Sequence, residues 1–394
     1  MNPWLTLIGL GEDGALPPAA AERLAQAVLV VGGARHMELI GPTKAERLVW
    51  PTPLQDAFPA IMARAGERVC VLASGDPFYF GVGSLLADLV EDFESFPQPS
   101  AFSLAASRLG WALQDCALVS LHGRPLETIV PHLQPRARVL ALSWDGATPA
   151  RLAALLTARG LGMSRLTVLE AMGGARERRF AAFAQDFDAL GVDPLNIVAL
   201  EVAGAGQRIP PRAPGLPDDW FETDGQMTKR EMRALTISGL APRPGETLWD
   251  VGAGSGSIGV EWLLADPTTA AFAVEQNGER CVRIRANARG LGVPRLKIVE
   301  GEAPGALDGL PAPDAVFIGG GLEGVAAPCW AALKPGGRLV VNAVTVETQA
   351  ALSGLSAHYG GELLHAQFAR ATPVGRFRGF RAAMPVVQWR AVKP

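Results

Sequence analysis

The chain has 394 residues, of which 48 % are hydrophobic and 19 % are charged, and its formal net charge is −3. This composition excludes a disordered chain, and the small net charge gives no electrostatic reason to expect nucleic acid or an anionic membrane as a partner. The four cysteines lie far apart without a CxxC pair, so we expect no metal site and no disulfide framework. No apolar run approaches the roughly 20 residues of a membrane span, and a signal-peptide pattern is missing, so we expect a soluble cytoplasmic protein.

The first half of the chain alternates short apolar runs with helical stretches rich in Ala and Leu. The pattern predicts one helix over Pro18–Ala27 and strands at Trp4–Leu10, Val28–Val31, Val69–Leu72, Arg138–Ser143, Leu166–Leu169 and Leu195–Val202. Continuous apolar runs of this length are typical of strands that are covered on both faces. The alternation therefore predicts an α/β domain with a mostly parallel sheet.

A candidate site in this half follows the third predicted strand, in the run LASGDPFYFG from Leu72 to Gly81. Gly75 allows a ligand to approach the backbone closely, and Asp76 can present its carboxylate to a ligand or cap the next turn. Ser100 and Ala101 open a helical stretch farther on. Taken alone, the SGDP sequence is equally consistent with a tight turn that binds nothing.

Together with the loop Ile8–Gly11 and the segment Ser120–Arg124, these runs resemble the tetrapyrrole (corrin/porphyrin) methylase family over about residues 3–205. The resemblance implies two α/β halves that hold S-adenosylmethionine (SAM) between them. It also implies SAM contacts at Gly75, Asp76, Ser100 and Ala101. The chain departs from the family where it reads GLGEDG instead of GxGPGD and where Gln98 replaces a common glycine, so the geometry of substrate entry stays open.

A proline-rich stretch, Gln207–Pro217, interrupts the α/β pattern with four prolines. Such a stretch cannot continue a helix or an inner strand, so we predict a semi-rigid spacer between a domain of residues 1–206 and one of residues 218–394. The second domain begins another α/β series. Its predicted strands are Thr247–Val251, Ala271–Glu275, Leu296–Val299, Ala315–Ile318, Arg338–Ala343 and Val386–Val392.

The strongest motif of the chain, WDVGAGSGSIG, follows the first strand of this series and contains Asp250, Gly252, Gly254 and Gly256. Glycines permit a tight turn and close approach of a ligand at a helix N-terminus. The loop also fits the GxGxxG pattern of NAD-binding proteins, and a glycine turn without a ligand is a third interpretation. Asp250 favours SAM because its carboxylate can meet a cationic amino acid group, whereas Glu275 can accept ribose hydroxyls of either ligand.

The ordered continuation of this motif resembles the Rossmann-like class I methyltransferases across the second domain. It comprises Gly301-Glu302-Ala303, the run PDAVFIGGG at the fourth strand and the run LKPGGRLV before the fifth. The resemblance implies SAM binding by Asp250, the loop glycines, Glu275, Glu302 and Ala303.

The segment before the motif begins Met227-Thr228-Lys229 and resembles the decarboxylating precorrin methyltransferases. Thr228 and Glu231 have the spacing of a capping box at a helix N-terminus. Apolar residues of that helix can face the core, which leaves the basic side chains of Lys229, Arg230 and Arg233 on the exposed side. This face is either a solvated helix surface or a lid that offers positive charge to an acidic substrate.

The tandem arrangement is similar to the fused precorrin methyltransferases of the aerobic cobalamin pathway. The resemblance implies that the first domain methylates precorrin-6Y at C5, while the second methylates C15 and removes the C12 acetate carboxyl, giving precorrin-8. It further implies two SAM sites per chain, no metal, a small-molecule tetrapyrrole substrate and a dimer or tetramer. Three alternatives stay open: a cobalt-containing substrate, a dinucleotide-dependent oxidoreductase, and a first domain that only carries the tetrapyrrole.

A tetrapyrrole with acetate and propionate groups should meet arginines, because a guanidinium binds carboxylates bidentately. Clusters of arginine lie at 176–179 and 376–381, besides the Lys229 segment. Arg376 and Arg378 point to one side if their segment is extended. We predict that one of these two holds a substrate carboxylate; solvated surface charge is the alternative for each cluster.

Overall fold

The computed structural model describes residues 3–394. The chain forms two compact units, the first comprising residues 3–126 and His132–Gln207 and the second Glu127–Pro131 and Arg208–Pro394. None of the helices within residues 3–394 has the length and apolar character needed to cross a membrane.

The first unit contains two sheets, and the first of them is wholly parallel. Its strands lie in the order β3-β2-β4-β1-β5. The elements are β1 (Leu5–Leu10), α1 (Pro18–Ala25), β2 (Leu29–Gly32), α2 (Ala34–Leu39), β3 (Glu46–Val49), α3 (Phe58–Met62), β4 (Val69–Ser74), α4 (Gly83–Ala87) and β5 (Phe93–Phe96). All six residues of β1 are buried, as expected for a strand covered on both faces.

The second sheet of this unit contradicts the prediction of mostly parallel pairing. Its elements are α5 (Ala101–Leu109), β6 (Cys116–Ser120), β7 (Arg138–Leu142), α6 (Thr148–Ala158), β8 (Arg165–Glu170), β9 (Arg178–Phe183) and β10 (Asn196–Glu201). In the order β6-β7-β10-β8-β9, the β6–β7 pair is parallel and the other three pairs are antiparallel. Between β8 and β10 the chain forms β9 and the short 3-10 turn Ala184–Asp186 but no α-helix, and antiparallel pairing needs no helical crossover.

The second unit is a sheet of seven strands in the order β13-β12-β11-β14-β15-β19-β16, plus a separate two-stranded hairpin, β17–β18. Its elements are α7 (Arg230–Leu240), β11 (Thr247–Val251), α8 (Ser257–Ala265), β12 (Ala270–Glu275), α9 (Gly278–Gly290), β13 (Lys297–Glu300), β14 (Ala315–Ile318), α10 (Ala326–Ala332), β15 (Arg338–Ala343), α11 (Val346–Tyr359), β16 (Glu362–Ala366), β17 (Ala369–Val374), β18 (Phe377–Ala382) and β19 (Val386–Val392). Strands β11 to β15 are parallel, and β19 is antiparallel to both of its neighbours.

The core of the second unit lies on both faces of this sheet. Leu240 and Trp262 belong to a buried cluster on one face, and Cys329, Leu352 and Trp389 belong to a second cluster. Because helices cover both faces, ligands can reach the sheet at the carboxyl ends of its parallel strands.

The proline-rich stretch Gln207–Pro217 forms neither helix nor strand. Its last residues are nevertheless held in place, because the backbone N–H groups of Gly215 and Leu216 donate to the Glu261 carboxylate at 2.7 and 2.8 Å. The stretch therefore packs against the second unit at its C-terminal end.

Candidate functional site

A loop with three glycines connects β11 to α8. Gly252, Gly254 and Gly256 have φ angles of +69°, +60° and +72°, in the left-handed region that favours glycine. A Cβ atom on Gly252 would lie 3.0 Å from the Gly320 backbone nitrogen, so two loops approach closely here. A Cβ atom on Gly256 would lie 2.7 Å from Cγ2 of Ile284, so Gly256 packs against helix α9.

Glu275, at the end of β12, holds this loop from the neighbouring strand. Its buried carboxylate accepts hydrogen bonds from the backbone nitrogens of Gly254, at 2.9 Å, and Asn277, at 3.0 Å. Each carboxylate oxygen has capacity for a further donor. Glu275 is thus fixed in orientation and still able to accept a ligand's hydroxyl groups.

Asp250 lies behind the loop and is fully buried. One carboxyl oxygen accepts a hydrogen bond from the Gly259 backbone nitrogen at 2.9 Å, and Oδ1 has no hydrogen-bond partner among the residues that the structure describes. Burial raises the pKa of this carboxyl group to about 7, and the charge of Glu275 adds to the effect. The structure does not place Asp250 on the wall of the adjoining cavity, so direct contact with a ligand's amino group stays a prediction.

A cavity of about 1120 Å³ opens at the carboxyl ends of β11, β12 and β14. It brings together six of the predicted site residues: Lys229, Gly252, Gly254, Glu275, Glu302 and Ala303. Ser255 also lines it, and the buried Ser255 hydroxyl has no partner within residues 3–394. The walls do not include Arg230, Gly256, Arg376 or Arg378.

The predicted exposure of Arg233 is wrong, since its side chain is 0 % exposed. Its guanidinium donates to Glu261 at 2.5 Å and to Asp218 at 3.2 Å, and it also donates to the Leu216 carbonyl. The proline-rich stretch supplies the Leu216 carbonyl, and Glu261 and Asp218 supply the other two acceptors, so a basic residue can be buried there without loss of hydrogen bonds. Arg233 is a structural residue in this unit.

The predicted capping box at Thr228 does not form, because α7 begins at Arg230 and its N-cap is Lys229 without a side-chain hydrogen bond. The Glu231 carboxylate instead accepts from Arg370 of β17 at 2.5 and 2.7 Å. The Arg370 guanidinium, through these hydrogen bonds, lowers the pKa of Glu231. Arg370 and Arg381, at the ends of the two hairpin strands, line the cavity.

The hairpin also explains why Arg376 and Arg378 lie elsewhere. Arg376 occupies the turn between the strands, and its guanidinium lies 4.9 Å from the Phe377 ring centroid. Arg378 alternates with Arg381 along β18, so the two side chains point to opposite faces, and Arg378 donates to the Ala371 carbonyl. The two-residue Gly375-Arg376 turn was the sequence signal that would have revealed this pairing.

In the first unit, three loops converge at the carboxyl ends of β1, β4 and β5. Gly75 has a φ of +63°, and a Cβ atom there would lie 3.0 Å from the Pro99 carbonyl oxygen. The Gly75 carbonyl accepts a hydrogen bond from the Gln98 nitrogen at 3.1 Å. The structure thus brings the predicted residues Gly75 and Ser100 together, because a Cβ atom on Gly75 would also lie 3.0 Å from Cα of Ser100.

The remaining predicted residues of this site make local contacts. Ser100 caps α5, where its hydroxyl accepts from the Ser103 nitrogen at 3.2 Å, and Ala101 is the first residue of that helix. The Asp76 carboxylate accepts from the Phe78 nitrogen at 2.8 Å and so orders the turn after β4. These contacts leave the predicted ligand role of each residue untested.

A polar cluster next to this site was not predicted from the sequence. Glu12 lies in the loop that departs from GxGPGD. Its carboxylate forms ion pairs with Arg35, in the first α/β half of this unit, and with Arg176, in the second α/β half, the Arg176 pair at 3.1 Å. Arg176 also pairs with Asp193 at 2.5 Å. The Ser74 hydroxyl lies 2.9 Å from His36, whose pKa burial lowers to about 4 with a further contribution from the charge of Arg35. The signal available in the sequence was the Glu12 substitution itself.

Comparison with known proteins matches two family models. Residues 5–188 match the tetrapyrrole (corrin/porphyrin) methylases, and residues 219–393 match the precorrin methyltransferase domain. A precorrin-6Y C(5,15)-methyltransferase [decarboxylating] from Sinorhizobium sp is 55 % identical over 401 residues, covering 100 % of this chain and 97 % of the relative. Its namesake from Mycobacterium tuberculosis (strain ATCC 25618 / H37Rv) is 39 % identical over 403 residues, covering 99 % and 100 %.

Among solved structures, the C-terminal domain of precorrin-6Y C5,15-methyltransferase from Rhodobacter capsulatus is 46 % identical. It covers 47 % of this chain and 100 % of that chain, with a TM-score of 0.45.

Proposed function

This chain belongs to the family of precorrin-6Y C(5,15)-methyltransferases (decarboxylating), and on that premise we propose that it methylates precorrin-6Y at C5 and C15. The same proposal includes loss of the C12 acetate carboxyl group and formation of precorrin-8. Membership in a methyltransferase family implies SAM as the methyl donor and disagrees with the competing oxidoreductase interpretation.

The observation that carries the proposal is the cavity of about 1120 Å³ beside the glycine loop. Its residues fit SAM, because Glu275 keeps acceptor capacity for hydroxyl groups and the buried Ser255 hydroxyl lacks a partner within the described chain. Gly252 and Gly254 leave the backbone open to close approach. The Asp250 carboxyl group, buried behind the loop, favours a bound cation once it is ionised.

We assign the C5 methylation to residues 1–206 and the C15 methylation with decarboxylation to residues 218–394, with 207–217 as the linker. Two family models that match on either side of the proline-rich stretch support this division. The separation of the chain into two compact units supports it as well. The assignment implies two SAM sites per chain, one of them at Gly75, Asp76, Ser100 and Ala101.

When bound, SAM supplies a methyl group that its sulfonium has already activated. The chain's own task is to align the substrate carbon with that group, and such alignment contributes about 7–11 kcal/mol to lowering a barrier. The hydrogen bond that the Gly254 nitrogen donates to the Glu275 carboxylate fixes one wall of the site. As carbon dioxide leaves, its bonding electrons pass into a protonated imine of the macrocycle, so the proposal requires no metal.

Mass spectrometry of the product tests this function. Purified protein with precorrin-6Y and excess SAM should give a product with two added methyl groups and without one carbon dioxide. A single added methyl with loss of carbon dioxide would mean that the first unit does not methylate. If the mass of the metal-free substrate stays unchanged and the cobalt-containing substrate is converted instead, the substrate is the cobalt analogue of precorrin-6Y.

The family resemblance also motivates two predictions about the whole protein, namely assembly into a dimer or tetramer and a cytoplasmic location. Sedimentation velocity of the full chain measures the first, and a monomer at micromolar concentration would contradict it. Cell fractionation measures the second, and activity outside the cytoplasmic fraction would contradict it.

A further inference from the structure

The cavity of the second unit is bordered by a hairpin that carries two arginines side by side. Strands β17 and β18 pair with each other and with no other strand of residues 3–394. Their register sets Arg370 directly opposite Arg381, and both residues line the cavity. Like charges directly opposite each other destabilise an antiparallel pair. The arrangement therefore costs stability unless an anion lies close to both guanidinium groups.

The protein supplies such an anion to one of the two arginines. Arg370 is held by both carboxylate oxygens of Glu231, at 2.5 and 2.7 Å. The Arg381 guanidinium, by contrast, forms no hydrogen bond or ion pair with any residue from 3 to 394, and neither does the Lys229 ammonium group, which lines the same cavity. Two cations thus face the cavity without a protein partner.

Acidic and basic side chains of the cavity wall lie toward opposite ends of the sheet edge. Besides Glu231, three carboxylates line the cavity wall: Glu275 ends β12, and Glu302 and Glu323 follow β13 and β14. The unpartnered cations come from the other end, because the hairpin connects β16 to β19 and α7 packs on β15 through the Asn342–Thr236 hydrogen bond. The remaining cation of the wall, Arg280, is neutralised by Asp224 at 2.7 Å.

We propose that this basic wall, Lys229, Arg370 and Arg381, binds carboxylate side chains of the tetrapyrrole, with Arg381 as the principal contact. The inference rests on the proposed function and adds the residues that recognise the substrate. The acidic wall then suits the cationic methyl donor, and the basic wall suits a polyanionic acceptor, so the two ligands are sorted by charge within one cavity.

The chemistry of decarboxylation specifies which carboxylates these are. A bidentate arginine contact stabilises a carboxylate anion in the ground state, and an interaction that is lost in the transition state slows the step. Arg381 therefore holds a carboxylate that the substrate keeps, and the acetate that is lost lies away from the hairpin. Removal of Arg381 should weaken substrate binding without slowing carbon dioxide release at saturation.

The test compares the full-length wild type with Arg381→Ala, Arg381→Lys and Arg285→Ala. Arg285 is an exposed arginine of α9 outside the cavity, so its variant controls for the loss of one positive charge in the same unit. The measurements are initial rates of carbon dioxide release against precorrin-6Y concentration at saturating SAM, and the Kd for SAM. Hydrogen bonds to charged groups lead us to expect a KM about 10- to 100-fold higher for Arg381→Ala, with kcat and the SAM Kd within twofold of wild type. Arg381→Lys should recover part of the loss, and Arg285→Ala should match wild type.

An unchanged KM in Arg381→Ala, or an equal rise in Arg285→Ala, would overturn the inference. A fall in kcat with unchanged KM would overturn it too, because it would show that Arg381 acts in the reaction step and not in substrate binding. Arg381 is exposed and lies opposite another arginine, so neither variant should lower the unfolding temperature, and Arg381→Lys keeps the test valid if alanine does lower it. Failure of wild type to release carbon dioxide would instead refute the proposed function.

Discussion

Ligand binding at the glycine loop of the second unit should depend on pH through the ionisation of Asp250. Its carboxyl group is buried, one oxygen has no partner within the described residues, and its pKa lies at about 7. A cation bound at the loop is attracted by the ionised carboxylate, whereas the protonated carboxyl group is neutral and does not attract it. Binding of SAM at this site should therefore strengthen as the pH rises toward 7 and then level off.

We predict that SAM affinity falls by up to about tenfold per pH unit as the pH drops below 7. Isothermal titration calorimetry between pH 8 and 5.5 measures this, in a Gly75→Ala background that perturbs the other proposed site. Asp250→Asn should bind more weakly and show a flat profile over this range. A wild-type profile as flat as that of the variant would contradict the role of Asp250.

The buried ion pair of Arg233 and Glu261 gives a prediction about stability. Arg233→Met leaves the Glu261 carboxylate buried with only the backbone donors of Gly215 and Leu216. An uncompensated buried charge costs about 3–5 kcal/mol of unfolding free energy. Urea unfolding should show this loss, whereas Arg285→Met on an exposed helix surface should stay within about 0.5 kcal/mol of wild type. A loss below 1 kcal/mol in Arg233→Met would show that the pair is dispensable.

Single residues differ in how far the sequence reveals their positions. Gly252, Gly254 and Glu275 could be placed because a strand, a loop and a helix follow each other locally, and the carboxyl ends of neighbouring parallel strands meet at one edge. The burial of Arg233 could not, because it depends on a distant proline-rich stretch that covers α7. Arg370 differs from Arg233, because the Gly375-Arg376 turn is a local signal that sets Arg370 opposite Arg381, 11 residues away.

At the level of elements, apolar runs located the inner strands well. Thr247–Val251, Ala315–Ile318, Arg338–Ala343 and Val386–Val392 have the predicted bounds. Exposed strands carry a weaker signal, since β16, β17 and β18 are mostly exposed and were not predicted. The apolar pattern also could not predict the antiparallel strand direction in the second sheet of the first unit, because direction depends on the connections between strands and not on the strand residues.

Alanine substitutions at two glycines of the second unit should have opposite effects on stability. Gly256→Ala must accept a φ of +72° and a Cβ atom 2.7 Å from Ile284, so the loop and α9 should separate slightly. A Cβ atom added to Gly354, on the exposed face of α11, would meet no atom within 4 Å. We expect Gly256→Ala to destabilise the unit by about 1–3 kcal/mol, and Gly354→Ala to stabilise it by about 0.5–1 kcal/mol. Thermal unfolding of both variants measures this, and equal effects would contradict the strained geometry of the loop.

The whole molecule combines two units with different sheets. The change of composition at Gln207–Pro217 predicts a boundary there, and the second compact unit comprises Glu127–Pro131 as well as Arg208–Pro394. Each unit presents glycine-containing loops at the carboxyl ends of parallel strands, Gly75 in the first and Gly252 in the second. The proposed function accordingly requires two independent methyl-donor sites in one chain.

Equilibrium dialysis with radiolabelled SAM, performed on wild type, Gly75→Ala and Gly252→Ala, counts these sites. Both glycines have positive φ angles, and an added Cβ atom would lie 3.0 Å from backbone atoms in each case, so the two variants are matched. We expect two SAM molecules bound per wild-type chain and one per chain in either variant. One SAM per wild-type chain, or a variant that still binds two with unchanged affinity, would contradict this expectation.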